Sequence, residues 1–148
     1  MKIKIPPLPK STDKLFTSEE DWWNNSCLNY LPDGWAIYTA GYGKAADIIV
    51  DWIGSEKHFQ DALVFPVIFL YRQYLELTIK DLIRQGHKLL DIKQRFPKTH
   101  KIDELWKICE RLVRKISPGD SGKELRQIGG LIGDFCRVDP TSMAFRYP

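Results

Sequence analysis

The apolar positions of this chain repeat at helical spacing almost from end to end. Tyr38, Tyr42, Ala45, Ile49 and Trp52 step by four, three, four and three, which predicts a helix opening after the "LPDGW" turn at residues 31–35. Small residues in the same stretch (Ala36, Ala40, Gly41, Gly43 and Ala46) predict that a neighbouring helix comes close. A longer central helix is expected over Asp61 to Gln85, with Val64, Ile68, Tyr71, Leu75, Ile79 and Leu82 as its core stripe. Its first half is apolar nearly all round, which predicts burial on several sides. Pro66 requires the helix to start shortly before it or to kink, and Gly86 is the expected stop.

A third helix is expected where Ile102, Leu105, Trp106, Cys109, Leu112, Val113 and Ile116 follow the same template, with Thr99 as its cap. "SPGD" breaks it. Ser121 and Glu124 then form an S-x-x-E capping box ahead of Leu125, Ile128, Ile132 and Phe135. Gly129, Gly130 and Gly133 weaken this last helix by about 1 kcal/mol each, and close contact with another helix is the expected compensation. No strand alternation interrupts the pattern. The fold expected is all-α: an antiparallel bundle of four main helices, with an extended Pro-rich N-terminal arm and an irregular C-terminal segment. Residues 1–34 form the arm and a short helical turn carrying Trp22 and Trp23, and residues 35–148 form the bundle.

Composition adds little to fold class and something to function. The 148 residues suit one domain with a real core, and 43% hydrophobic with 28% charged is ordinary globular usage. No run reaches the roughly 18 consecutive apolar residues of a membrane span, and the first ten residues have no apolar core of a secretory signal. Cys27, Cys109 and Cys136 are odd in number and lack metal-binding spacing, so reduced thiols and a cytoplasmic location are expected, with no metal and no cofactor. Charge is uneven. Residues 80–115 carry 11 Lys/Arg against 5 Asp/Glu, whereas residues 1–79 carry 7 against 10. Such a middle could attract RNA, DNA or an acidic protein, or it could be solvated helix faces and a Lys-rich loop.

Candidate chemistry is sparse. The chain has no P-loop, no dinucleotide glycine fingerprint and no nucleophile with a positioned base. Arg72, Glu76 and Lys80 lie at i, i+4 and i+8 on the central helix, about 40° apart around its axis, so they form one charged strip. That strip is either a surface salt-bridge ladder or a place where Glu76 orients an arginine in a bundle groove. His100 opens the third helix, and Arg95 precedes it by R-x4-H spacing. In a ribonuclease such a pair would divide general acid–base work and phosphorane stabilisation.

Three stretches, "YLELTIKDLIRQG" (74–86), "THKIDELWKIC" (99–109) and the terminal "FRYP" (145–148), make residues 35–148 resemble a HEPN domain. The resemblance implies a four- or five-helix bundle, often dimeric, in toxin–antitoxin, CRISPR and phage-defence settings. It also implies, for many members, metal-independent ribonuclease action through R-x4-6-H at the start of a late helix. The late helix here, 121–137, holds no histidine, so that pair does not map onto this chain by motif. The expected function is therefore a non-catalytic binding or dimerisation module, with a homodimer or another protein as partner. The alternative is a metal-independent ribonuclease in which Arg146, His100 and the Arg72/Glu76 strip converge on RNA, and a nucleotide sensor would use the same groove. The arm's prolines and the N-terminal tryptophans suit a protein interface. A close Arg146–Glu76 pair is expected, with Phe145 and Tyr147 packing the chain end onto the bundle.

Overall fold

A computed structural model describes residues 8–14, 20, 21, 23, 25, 26, 33–93, 96–119, 122–141, 144 and 145. The chain divides into two compact units, Met1–Pro32 and Asp33–Pro148. In the first, Asp13 and Lys10 close a short turn: the Asp13 N–H donates to the Lys10 carbonyl at 3.0 Å, and the Lys10 N–H donates to Asp13 Oδ2 at 2.8 Å. Trp22 lies outside the described residues, and Trp23 is largely exposed.

The second unit is an all-helical bundle of four helices: α1 (Gly34–Glu56), α2 (Gln60–Leu89), α3 (Ile102–Ile116) and α4 (Gly122–Val138). They pack in chain order, α1 on α2, α2 on α3 and α3 on α4. Asp33 caps α1, its Oδ1 accepting from the Trp35 N–H at 3.2 Å while Oδ2 pairs with Arg84 at 2.6 Å. The Trp35 indole N–H donates to the Leu77 carbonyl at 3.0 Å, and the Arg84 guanidinium lies 5.9 Å from the centre of the Trp35 ring. These contacts tie the start of α1 to the later turns of α2. The Tyr71 hydroxyl donates to Asp47 Oδ1 at 2.7 Å further along, so α1 and α2 run antiparallel. Close approach is made at Gly43, where a Cβ would sit 3.1 Å from the Tyr74 ring, and at buried Ala46. The two helices are joined by residues 57–59, in which Lys57 (φ 53°) and Phe59 (φ 58°) both adopt left-handed backbone.

α2 starts less than about two turns before Pro66, which has no N–H for the Ala62 carbonyl. It does not stop at Gly86. The helix continues to Leu89, and Gly86 is buried, with a Cβ there only 3.3 Å from Leu112 Cδ1. The glycine thus serves close packing of α3 on α2, and the turn comes later, at Asp91 (φ 48°). His100 lies beside Glu76, while Leu112 and Ile116 lie beside Gly86, so α2 and α3 run side by side in the same direction. The chain returns from the end of α2 at Leu89 to the start of α3 at Ile102, next to His100 and Glu76. Thr99 helps start α3 without being its first flanking residue. Its hydroxyl accepts from the Lys101 N–H at 3.2 Å and donates to Glu104 at 2.7 Å. Trp106 lies against Gly129, and Asp139 just after α4 meets Arg72 beside the α3 entry at His100, so α3 and α4 are antiparallel. Ser121 of the predicted capping box lies outside the described residues.

The core is centred on the α2–α3 seam: Ile79 and Ile83 from α2, Ile102, Leu105, Trp106, Cys109 and Leu112 from α3, Leu125 and Ile132 from α4. At 1.5 Å per residue, α3 covers about half of α2. The first half of α2 therefore lacks the burial its apolar sequence predicts, and Val64 and Phe65 are exposed. Among the described residues α2 is also the one helix long and apolar enough, by length and composition, to cross a membrane.

Burial pushes the Cys109 thiol up to about 11, so it is a poor nucleophile at neutral pH. In the folded protein, Cys109 is expected to resist alkylation at pH 8 and to react once denaturant unfolds the chain. Mass-spectrometric mapping of labelled thiols checks this, and prompt labelling of native Cys109 would contradict the packing described.

Candidate functional site

The strip predicted on α2 is real but buried. Arg72 and Glu76 are each only 2% exposed and Lys80 8%, so this is no surface ladder. Glu76 sits at the centre. Its Oε2 accepts from Arg72 Nη1 at 2.7 Å, and its Oε1 accepts from Lys80 Nζ at 2.7 Å and from His100 Nδ1 at 2.8 Å. Arg72 reaches three parts of the chain with its three nitrogens. Besides Glu76, Nη2 donates to the His100 carbonyl at 2.5 Å and Nε faces Asp139 Oδ2 at 3.2 Å. Asp139 is itself held from both sides: its N–H donates to the Phe135 carbonyl at 3.0 Å, and its Oδ1 accepts from the Ala144 N–H at 3.1 Å.

The local reason is helical register. Residues four apart face one another, so Arg72, Glu76 and Lys80 form two consecutive i,i+4 pairs. What takes them out of water is tertiary: the entry to α3 on one side and the turn after α4 on the other. Burial pushes the Glu76 carboxyl up, but hydrogen bonds from Lys80, Arg72 and His100 outweigh it and hold the group below the usual carboxylate range. Glu76 thus stays ionised at neutral pH between two cations. Arg72 spends its guanidinium on protein acceptors and presents no fork to a substrate phosphate.

His100 is different. Its side chain is 70% exposed although Nδ1 touches the buried carboxylate. A carboxylate only accepts, so the Nδ1 proton lies on the imidazole and a neutral ring carries its lone pair on Nε2. This is the orientation a general base uses, with Glu76 as positioning group.

The structure therefore brings Arg72, Glu76, Lys80 and His100 together. Arg95 and Arg146, the other two predicted site residues, lie outside the described residues, as does the expected Arg146–Glu76 pair. Among the described residues, the arginine that Glu76 holds is Arg72, four residues away in its own helix. Asp139 was the residue missed. As part of Asp139-Pro140 it reads as helix-exit turn chemistry, and no local pattern assigns a partner on α2. Among the described residues, no group of three or more His, Cys, Asp or Glu gathers as a metal cage. Comparison of the chain with protein-family models, with curated proteins and with solved structures returns no match.

Proposed function

We propose that this chain is a HEPN-like helical module that works by binding, through a second copy or another protein, in a prokaryotic cytoplasmic defence or toxin–antitoxin assembly. The supporting observation is the second apolar face of α1. Gly43 and Ala46 pack on α2, yet Ile37 and Tyr38 are 56% and 62% exposed and Ile48 and Trp52 are exposed too. These four fall within about 100° of helix arc, a stripe that a surface helix would keep polar. A contiguous apolar stripe on water is the mark of an interaction face. The all-helical bundle and the three sequence stretches quoted above support the family reading.

Sedimentation velocity tests it. The wild-type protein is expected to self-associate at micromolar concentration, and Ile48→Asp to leave a folded monomer with unchanged helix content. A wild-type protein that stays monomeric rules out the self-association form of the proposal.

A second reading, ribonuclease action, rests on the Glu76–His100 contact. Incubation with tRNA in a chelator decides it: cleavage that disappears in His100→Ala supports catalysis, and intact RNA rejects it.

A further inference from the structure

Ile92 and Pro97, which lie between α2 and α3 in the chain, border a cavity of about 310 Å³ with residues of the two helices. Ile92, Pro97, Ile108 and Leu112 give it an apolar floor, and His87, Arg111 and Lys115 line it with nitrogen. Among the described residues no acidic side chain belongs to that lining, and its one aromatic ring is the His87 imidazole.

The cations are left over from the charge pattern of α3. Lys107 has Asp103 four residues before it at 3.3 Å, and Arg114 has Glu110 at 2.6 Å. Arg111 and Lys115 have no such acid. Four residues before Arg111 stands Lys107, and four before Lys115 stands Arg111, so Lys107, Arg111 and Lys115 stack like charge on one side of the helix. Such i,i+4 repulsion is unfavourable for the helix. Arg111 Nε–H donates to the Lys107 carbonyl at 3.1 Å, and among the described residues neither Arg111 nor Lys115 makes an ion pair. The guanidinium is thus anchored at one edge, and among the described residues its terminal nitrogens carry no carboxylate.

We propose that this cavity binds a small amphipathic anion: a carboxylate or phosphate head on Arg111 and Lys115 with His87 beside it, and a short aliphatic body on the Ile92, Pro97, Ile108 and Leu112 floor. The volume is at the low end of small-molecule sites. Arginine's planar fork matches a carboxylate or phosphate in two-point contact. The floor of Ile92, Pro97, Ile108 and Leu112 is aliphatic throughout and matches a short aliphatic body. An anion seated there also relieves the like-charge stack, so binding and helix stability favour the same state.

The test is an amide-resolved NMR titration of the full chain with octanoate, octyl phosphate, octanol and inorganic phosphate. One or both anionic amphiphiles are expected to shift Ile92, Ile108, Arg111 and Leu112 saturably, with octanol and inorganic phosphate at least about tenfold weaker. The tighter of the two names the head group. Arg111→Gln/Lys115→Gln is expected to lose about tenfold or more for that ligand, the scale of one charge-assisted hydrogen bond, while its Tm holds or rises. Lys115→Gln alone should show a smaller loss in the same direction. The proposal is overturned if neither anion binds, if octanol binds as well as octanoate, if the shifts map to another face, or if the double variant binds like wild type.

Discussion

Replacing Glu76 with alanine is expected to cost about 3–5 kcal/mol of stability and to lower Tm by on the order of 10 °C. The reason is what stays behind. Arg72 and Lys80 would remain buried with full positive charge and without the carboxylate that holds both at 2.7 Å. Glu76→Gln keeps the shape and some of the hydrogen bonds, so its loss should be smaller. The pair is best compared along an acid titration by circular dichroism. Glu76 has its carboxyl held below the ordinary value near 4.5, so its stabilising contribution is present above that value and is lost as pH falls through the folded one. The wild-type protein should therefore lose stability more steeply than Glu76→Gln in that acid window. Parallel acid limbs, or a Glu76→Ala protein as stable as wild type, would show that the cluster is wet and carries little. The replacement of both Arg72 and Glu76 by methionine is a sharper control. Removing a buried ion pair whole is often near neutral, but here Lys80 and Asp139 would each lose a partner, so substantial destabilisation is still expected.

This cluster marks where sequence reading stops. The i,i+4 geometry of Arg72, Glu76 and Lys80 was legible because helical spacing alone makes those contacts. Whether the strip faced water was not legible, because that depends on the α3 entry and the turn after α4, segments far away in the chain. Sequence reading gave Glu76 a distant arginine, Arg146, because aromatic flanks suggested packing there. That pair lies outside the described residues, and the arginine they set on Glu76 is Arg72, one turn away on the same helix. The four helices and the core positions of α3 were legible for the opposite reason, since one strong period runs through Ile102, Leu105, Cys109 and Leu112. The first half of α2 misled in an instructive way. Apolar periodicity marks a face as suited to burial, and it does not state whether the rest of the fold reaches far enough to cover it. Exposed Val64 and Phe65, like the second face of α1, are consistent with a cover from outside this bundle. Gly86 misled likewise: a glycine near an expected helix end serves equally to stop a helix or to admit a neighbour, and Leu112 decides for the second.

Trp106→Ala should have the next largest effect, about 3–5 kcal/mol, and it should act on one end of the molecule first. Trp106 is buried in the core and lies against Gly129, where a Cβ would stand 3.0 Å from the indole nitrogen. Of the three glycines that weaken α4, only Gly129 is crowded. Gly130 and Gly133 have nothing within 4 Å of a Cβ, so close packing compensates for one of them and leaves the other two as a plain loss of helix propensity. Among the described residues the helix that α4 packs on is α3, and the Asp139–Arg72 pair ties its end to α2, so the Trp106 seam carries much of what keeps α4 in place. Without the indole, α4 should open before the rest, and Asp139 would then leave Arg72. Hydrogen exchange is the measurement that separates this from uniform weakening. In Trp106→Ala, amides of α4 should lose protection by a larger factor than those of α2, and Arg72 should become sensitive to a neighbouring carboxylate lost. If α4 and α2 exchange together, the bundle opens as one unit and the seam has no independent role. If they part, the buried ion cluster is a latch whose far half rests on a tryptophan seated over a glycine. Asp139→Asn should then reproduce part of the same α4 exchange pattern while leaving Trp106 in place.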